Sequence, residues 1–159
     1  DGFPRTRVVL LKRYTDEGFI FYTNYNSQKG KALENNPNIC LSFFWPFLER
    51  QIIIKGIAEK TSDNNSDGYF ETRPRSSQLG AWISDQSSII DEHADLAEEE
   101  LQLEKKYEGQ EIPRPAHWGG FLVRPTEIEF WQGRPSRLHD RVRYVLQKDF
   151  DWKKERLAP

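Results

Sequence analysis

In the first third of the chain the apolar positions come in short runs bounded by charged and turn residues, a pattern of strands rather than of long helices. Arg7 to Lys12 (RVVLLK) is an apolar run between charges and is expected to be a buried strand. Phe19 to Tyr25 (FIFYTNY) is aromatic and β-branched and follows a Glu17-Gly18 turn, so a second strand is expected there. Ile39 to Trp45 and Gln51 to Lys60 flank a short connection holding Pro46 and read as a hairpin. Ser27 to Asn36 reads as a helix, with Ser27 as N-cap and Asn36-Pro37 as the stop. The opening Asp1-Gly2-Phe3-Pro4 is turn chemistry, and with no initiator Met it suggests a longer natural chain with a strand upstream.

The middle changes to a helical period. Asp63 to Thr72 is a short helix ended by Arg73-Pro74, and Ser76 or Ser77 caps another that runs through Ser84. Asp91 to Glu108 carries Ala94, Ala97 and Leu101 on one stripe, with Leu96, Leu103 and Tyr107 beside it. Its acids come early and Lys105-Lys106 late, matching the helix dipole. After a Pro- and Gly-rich loop, strands are expected at Phe121–Arg124, Glu127–Gln132 and Leu138–Leu146. This order lacks βαβ alternation, so a doubly wound parallel sheet is disfavoured. A mainly β, mostly antiparallel barrel with helices at one end (α+β) fits better. At 159 residues a single domain spanning 1–159 is expected.

Composition removes several function classes. The net charge of −2 gives no polybasic field for nucleic acid. No apolar run approaches the ~20 residues that cross a bilayer, so no membrane partner is expected. Cys40 is the only cysteine, which rules out an intramolecular disulfide and cysteine-rich zinc sites, and no metal is expected. The lone thiol is compatible with a reducing compartment, and a cytoplasmic location is the expectation. No Gly-rich P-loop, GxSxG, HExxH or GxGxxG occurs, which disfavours Walker ATPases, serine hydrolases, zincins and Rossmann dehydrogenases.

Three segments carry candidate chemistry. Arg137, His139 and Arg141 alternate in RLHDR, six residues after Trp131, and in a strand would share one face. Guanidiniums bind anions in fork geometry and stack on planar groups, so a flat, phosphorylated small molecule is the natural partner; a salt-bridged strand face is the alternative. Lys29 sits in the first turn of its helix, where a cation opposes the dipole unless a phosphate shares the site. It is either a solvated lysine or an anion ligand. Arg73, Arg75, Ser76 and Ser77, with Tyr69 one turn back, form either a second anion cradle or ordinary capping with exposed arginines. Gln86-Ser87-Ser88 is a polar loop with no signal of its own, and His93 and His117 read as surface or structural.

Taken together, the chain resembles the pyridoxamine (pyridoxine) 5′-phosphate oxidase family. The matching stretches are RVVLLK at 7–12, FYTNYNSQKGKALENNP at 21–37, RQIIIKG at 50–56, YFETRPRSSQLGAW at 69–82 and DQSS at 85–88. They continue with HWGGFLVRP at 117–125, EFWQG at 129–133, RLHDR at 137–141 and RLAP at 156–159. The resemblance implies an FMN-binding split β-barrel working as a homodimer with flavin at the subunit interface. It implies FMN contacts from Arg7, Val8, Val9, Leu10, Tyr22, Thr23, Gln28, Lys29 and Gln51, with Arg7 and Lys29 at the phosphate. Gln86, Ser87, Trp131 and Arg141 would complete that site, largely from the second subunit. Lys12, Tyr69, Arg73 and Ser77 would grip the substrate phosphate, and Arg137 and His139, the catalytic pair, would face the pyridine ring. The implied reaction oxidises pyridoxamine or pyridoxine 5′-phosphate to pyridoxal 5′-phosphate, with O2 as acceptor and H2O2 released. The chain departs at Gln28, where the family usually carries arginine, and the region after Arg143 is short, so a trimmed closing hairpin is expected. Two other readings stand beside this one: a non-catalytic carrier of pyridoxal phosphate or flavin, and a split-barrel flavin reductase of other specificity.

Overall fold

The computed structural model describes residues 2–159; Asp1, where the expected opening turn starts, lies outside them. In chain order the elements are β1 (Arg13–Thr15), β2 (Gly18–Asn24), α1 (Gln28–Asn35), β3 (Asn38–Trp45), β4 (Arg50–Lys60), α2 (Asp63–Glu71), α3 (Arg75–Ile83), α4 (Leu96–Lys106), β5 (Trp118–Gln132), β6 (Asp140–Leu146) and β7 (Trp152–Leu157). The strands hydrogen-bond in the order β1-β2-β5-β4-β3, with β6 on β5 and β7 on β6. The pairs β3–β4, β5–β6 and β6–β7 are antiparallel. The chain divides into two compact units, one formed by residues up to Arg13 with Ile20–Asn36 and Lys60–Leu122, the other by Tyr14–Phe19, Pro37–Glu59 and Val123–Pro159.

In the first unit, the core is Phe70, Leu79, Ala81, Ile112 and Trp118, with Tyr22, Tyr69, Ile83, Leu103 and Tyr107 packed against it. Helix α1 begins where expected: the buried Ser27 hydroxyl accepts the Gly30 N–H at 3.2 Å and donates to Asn24 O at 2.7 Å. Gly30 lets the helix sit against the turn before it, since a Cβ there would lie 2.0 Å from Tyr25 O. Helix α3 departs from expectation. Its N-cap is Pro74, with no side-chain cap, and Ser76 and Ser77 already lie in its first turn. The fixed φ of proline presets the turn, so a hydroxyl cap is not needed. Helix α4 starts at Leu96, not Asp91, because Asp95 caps it through the N–H groups of Ala97 and Glu98 while Asp91 closes a separate turn. Its packed residues are Leu103 and Tyr107; Leu96 and Leu101 are exposed, so the expected Ala94-Ala97-Leu101 face is not the buried one.

The expected strand at 7–12 does not form. Residues 2–12 carry no regular element, Val8 is almost wholly exposed, and the one ladder-like bond is Lys12 N–H to Ile20 O at 2.9 Å. An apolar run becomes a strand only when a neighbour offers its backbone groups, and among the described residues only Lys12 of this run finds one.

In the second unit, β3 and β4 form the expected hairpin, Asn38 opposite Ile57 through Trp45 opposite Arg50, closed by a short 3-10 turn at Pro46–Leu48. The two strands expected at 121–124 and 127–132 are one strand, β5, running through Pro125. Its pairing with β6 covers Glu127–Gln132 only, beyond the proline that lacks a donor. The closing hairpin is not trimmed: β7 pairs with β6 from Leu146 opposite Trp152 to Arg141 opposite Leu157. Arg143 to Glu155 at 2.6 Å and Lys153 to Glu155 at 2.9 Å join its charged faces.

Candidate active site

A cavity of about 660 Å³ opens in the first unit. It is lined by Val8, Val9, Leu10 and Lys12 of the leading segment, Tyr22, Thr23 and Lys29 from β2 and α1, and Tyr69, Arg73, Ser77 and Gln86 from α2, α3 and the loops beside them. Eleven residues singled out from sequence thus share one space. Three cations face it, and no carboxylate among the described residues lines it.

One end is built on the start of α1. Lys29 is half-buried, with Nζ 2.6 Å from Gln86 Oε1 and 3.1 Å from Thr23 Oγ1. Burial, and then the nearby charge of Arg7, lowers its pKa below the ordinary lysine value. Both causes disfavour the ammonium, and an anion beside it would reverse them. Arg7 Nη2 lies 2.9 Å from Gln28 Oε1, which brings its guanidinium to the same helix end. The loop that delivers Gln86 is tied down where it leaves α3, by Asn24 Nδ2 donating to Ser84 O at 3.1 Å. Ser87, next to Gln86, has a φ of 77° in a turn closed by Ser88 N–H to Asp85 O, and it does not line the cavity. Glycine or asparagine is favoured at such a φ.

The other end is built on the α2–α3 junction. The guanidinium of Arg73 lies 4.4 Å from the Trp118 ring centroid and 5.5 Å from that of Phe70. Its Nη1 is buried and has no hydrogen-bond partner among the described residues. Desolvation lowers its pKa, against a smaller raising effect of Tyr69. A buried donor left unpaired costs about 1–3 kcal/mol, so this atom calls for an acceptor. Gln78 braces the junction by donating to Phe70 O at 3.0 Å. Lys12 Nζ sits 5.8 Å from the Tyr69 ring centroid. Tyr69 stacks on Tyr22 at 4.0 Å, and Tyr22 on Trp118 at 5.4 Å with 12° between planes, so the cavity has flat aromatic walls. Burial, followed by Tyr69, raises the pKa of Tyr22 and keeps it a neutral phenol.

Sequence reasoning placed Arg75 in this cradle, and the structure does not. Arg75 donates to Glu104 Oε1 at 2.7 Å, Tyr107 O at 2.7 Å and Gln110 O at 3.0 Å, and so anchors the end of α4. Ser76 is exposed outside the cavity. Two residues were missed. Trp118 forms the floor under Arg73; its position beside Gly119-Gly120 was the available signal. Arg114 fixes Trp118 in turn, donating to its carbonyl at 2.7 Å and to Asp67 and Asp63 at 2.5 and 2.8 Å. Burial disfavours the charged Arg114, but the two aspartates outweigh it and hold its pKa above the ordinary value.

Gln51, Trp131, Arg137, His139 and Arg141 belong to the second unit. Gln51 Nε2 donates to Ser42 Oγ at 3.2 Å across the β3–β4 hairpin. Trp131 and His139 are neighbours, with ring centroids 4.8 Å apart. His139 Nδ1 accepts the Arg134 N–H at 3.1 Å, so in the neutral ring the proton is on Nε2. The expected common strand face of Arg137, His139 and Arg141 does not exist. Arg137 ends a 3-10 turn (Pro135–Arg137) with a φ of 60°, directly after Ser136 at 58°, and β6 begins only at Asp140. Two successive left-handed residues without glycine mark local strain. Arg134 Nε to Asp140 Oδ2 at 2.7 Å holds the ends of this turn together. Arg141 forms a fork with Glu129, at 2.7 and 3.1 Å, and its Nη1 donates to Ala158 O at 3.1 Å. That fork holds its pKa above the ordinary arginine value, although desolvation opposes it.

A family model described as pyridoxamine 5′-phosphate oxidase matches residues 1–131, and one described as the pyridoxine 5′-phosphate oxidase C-terminal dimerisation region matches 118–159. The pyridoxine/pyridoxamine 5′-phosphate oxidase of Flavobacterium johnsoniae is 62% identical over 99% of this chain and 74% of its own length. The protein of the same name from Flavobacterium psychrophilum is 64% identical over the whole chain and 74% of its own length. Among solved structures, PhzG from Burkholderia lata, in complex with tetrahydrophenazine-1-carboxylic acid, superposes with a TM-score of 0.89 at 29% identity, over 96% of this chain and 74% of its own. A pyridoxamine 5′-phosphate oxidase-related FMN binding protein from Nostoc punctiforme superposes with a TM-score of 0.73 at 13% identity, over 99% of this chain and 82% of its own. The expected fold class, a mostly antiparallel α+β split barrel, is thereby established.

Proposed function

The chain belongs to the pyridoxamine 5′-phosphate oxidase family, and from this premise we propose that it is an FMN-dependent oxidoreductase that converts pyridoxine or pyridoxamine 5′-phosphate to pyridoxal 5′-phosphate. The observation that carries the reading is the cavity lined by Lys12, Lys29 and Arg73 with no carboxylate among the described residues, walled by Tyr22, Tyr69 and Trp118. Cations without counter-ions select phosphate esters, and flat walls select planar rings. Both FMN and the vitamin have that form.

The residues fit such a pair. Lys29 and Arg7 would take the FMN phosphate at the start of α1, with Val8, Val9, Leu10, Tyr22, Thr23 and Gln28 along the cofactor. Lys12, Tyr69, Arg73 and Ser77 take the substrate phosphate, where the unpaired Arg73 Nη1 gains an acceptor. FMN, when bound, would supply a two-electron acceptor for oxidation at the substrate C4′ carbon, with molecular oxygen as the final oxidant and hydrogen peroxide as the co-product. Gln86 joins this site from the same chain, beside Lys29 and Thr23; Ser87, Trp131 and Arg141 complete it in a homodimer, and the match of 118–159 to a dimerisation region supports that assembly. Arg137 orients the pyridine ring. His139, carrying its proton on Nε2 in the neutral ring, hydrogen-bonds the substrate or holds a proton at that nitrogen. The protein's part is orientation and exclusion of competing reactions. The sharing of one cavity by Lys12, Tyr69, Arg73 and Ser77 favours this reading over a flavin reductase of other specificity.

The test is peroxide release by the FMN-loaded protein. Turnover is expected with pyridoxine 5′-phosphate and lost with pyridoxine, which lacks the phosphate. Equal turnover of both compounds, or of neither, would contradict the assignment.

A further inference from the structure

Trp118 and helix α2 are joined by a side chain that lines no part of the cavity, Arg114. It donates through Nη1 to Trp118 O at 2.7 Å, through Nε to Asp67 Oδ1 at 2.5 Å and through Nη2 to Asp63 Oδ1 at 2.8 Å. All three nitrogens are engaged, a planar fork that a lysine ammonium cannot copy. The Arg114 side chain is only 10% exposed, whereas those of Asp67 and Asp63 are 48% and 88% exposed. Asp63 opens α2, Asp67 lies one turn on, Tyr69 and Phe70 follow on the same helix, and Arg73 comes just past its end. Trp118 opens β5. The guanidinium of Arg114 therefore ties the first residue of β5 to the helix that delivers Arg73. Arg73 depends on that alignment, because it lies over the Trp118 ring at 4.4 Å and the Phe70 ring at 5.5 Å, one from each element. Those two rings meet edge-on, with centroids 5.2 Å apart. A shift of either element would carry the unpaired Arg73 Nη1 with it, and misplacing a binding group by about 1 Å can cost on the order of 100-fold.

We propose that Arg114 is a positioning residue for the substrate phosphate: by clamping α2 to the Trp118 carbonyl it sets where the Arg73 guanidinium sits, without touching the substrate itself. This role rests on the substrate site assigned above and adds to it a residue outside the cavity. Asp63 and Asp67 already face solvent, so removing the guanidinium leaves no carboxylate buried and unpaired. The chain still folds, and what it loses is the alignment of Trp118 with α2.

The test is a double-mutant cycle between Arg114→Met and Arg73→Met. It is read as KM and kcat of the FMN-loaded protein for pyridoxine 5′-phosphate, and as calorimetric binding of the same compound to the FMN-free protein. Arg114→Met is expected to raise KM and the calorimetric Kd about tenfold, within the range for residues of one hydrogen-bonded network. It is expected to leave kcat within about twofold, as for a loss of binding shared by ground and transition states. The Kd for FMN, whose phosphate is assigned to the start of α1, is expected to stay within about twofold as well. In the Arg73→Met background the same substitution is expected to add less than about twofold, because the clamp then has no guanidinium to position. Arg114→Lys, which keeps the charge but not the fork, is expected to fall between wild type and Arg114→Met. An unchanged KM in Arg114→Met, the full loss repeated in the Arg73→Met background, or an equal loss of FMN binding would overturn the proposal; the last two would mark a general loosening of the fold. Arg73→Met separates this from the broader reading. If Arg73→Met weakens binding of the phosphorylated vitamin and Arg114→Met does not, only the role of Arg114 fails; if Arg73→Met binds it as wild type does, the substrate site itself is misplaced.

Discussion

Arg73→Met is the most informative single substitution, because the structure predicts opposite consequences for stability and for substrate use. In the unliganded protein the guanidinium stacks over Trp118 at 4.4 Å, a contact of about 0.5–2 kcal/mol. The same side chain buries Nη1 without a partner, at a cost of about 1–3 kcal/mol. The two nearly cancel, and methionine keeps an apolar stem on the Trp118 and Phe70 rings. The melting temperature without substrate should therefore stay within a few degrees of wild type, or rise. On the proposed substrate site, the variant should lose a charge-assisted bond to the phosphate, about 1.5–3 kcal/mol. That is roughly a 10- to 150-fold rise in KM for pyridoxine 5′-phosphate. Steady-state kinetics on the FMN-loaded protein, alongside a thermal melt, gives both numbers. A large drop in melting temperature with an unchanged KM would refute the reasoning, since Arg73 would then be a packing residue satisfied within the protein.

Lys29 must be charged to hold a phosphate, and its pKa is lowered, so FMN affinity should begin to fall at a pH below the ordinary lysine value of 10.5. Lys29→Arg should move that fall to higher pH in a fluorescence titration, and an unmoved profile would count against Lys29 as the titrating ligand. Gly30→Ala would place a Cβ 2.0 Å from Tyr25 O, and the forced shift should destabilise the protein by about 1–3 kcal/mol in urea unfolding. In the second unit, Arg134 (foremost) and Arg156 lower the pKa of Asp140, while Lys153 and then Arg143 lower that of Glu155, below 3.8 and 4.5 respectively. A carboxylate depressed in the folded state binds fewer protons than when unfolded, so its stabilisation is complete above those values and is lost as pH falls through the lowered ones. The difference in melting temperature from wild type should accordingly shrink as pH falls below 3.8 for Asp140→Asn and below 4.5 for Glu155→Gln.

Much of the scaffold was legible because local chemistry and tertiary partners agree. Ser27, Asn36 and the aromatic run of β2 mark α1 and its neighbour as the pattern predicts, and the β3–β4 hairpin follows its turn. Where they disagree the pattern misleads. Residues 7–12 have the composition of a buried strand, yet among the described residues only Lys12 of this run finds a backbone partner. Asp91 and Asp95 are both competent caps, and only the packing of Leu103 and Tyr107 decides which one starts α4. Strand β7 (WKKERL) has almost no apolar alternation; ion pairs with β6 hold its register, and these cannot be foreseen from spacing. The site shows the same division. Local signals named Lys29, Tyr69, Arg73 and Ser77, but the departure of Arg75 toward Glu104 depends on where α4 ends. The break of Arg137 and His139 from the strand depends on backbone torsions that the residue types do not announce.

The central claim, two phosphate esters held for electron transfer from one to the other, is tested most directly by the visible absorption spectrum of the purified protein under anaerobic conditions. The account predicts an oxidised flavin spectrum that bleaches when pyridoxine 5′-phosphate is added and returns when air is admitted. A protein that cannot be loaded with FMN, or a flavin spectrum indifferent to the phosphorylated vitamin, would contradict it.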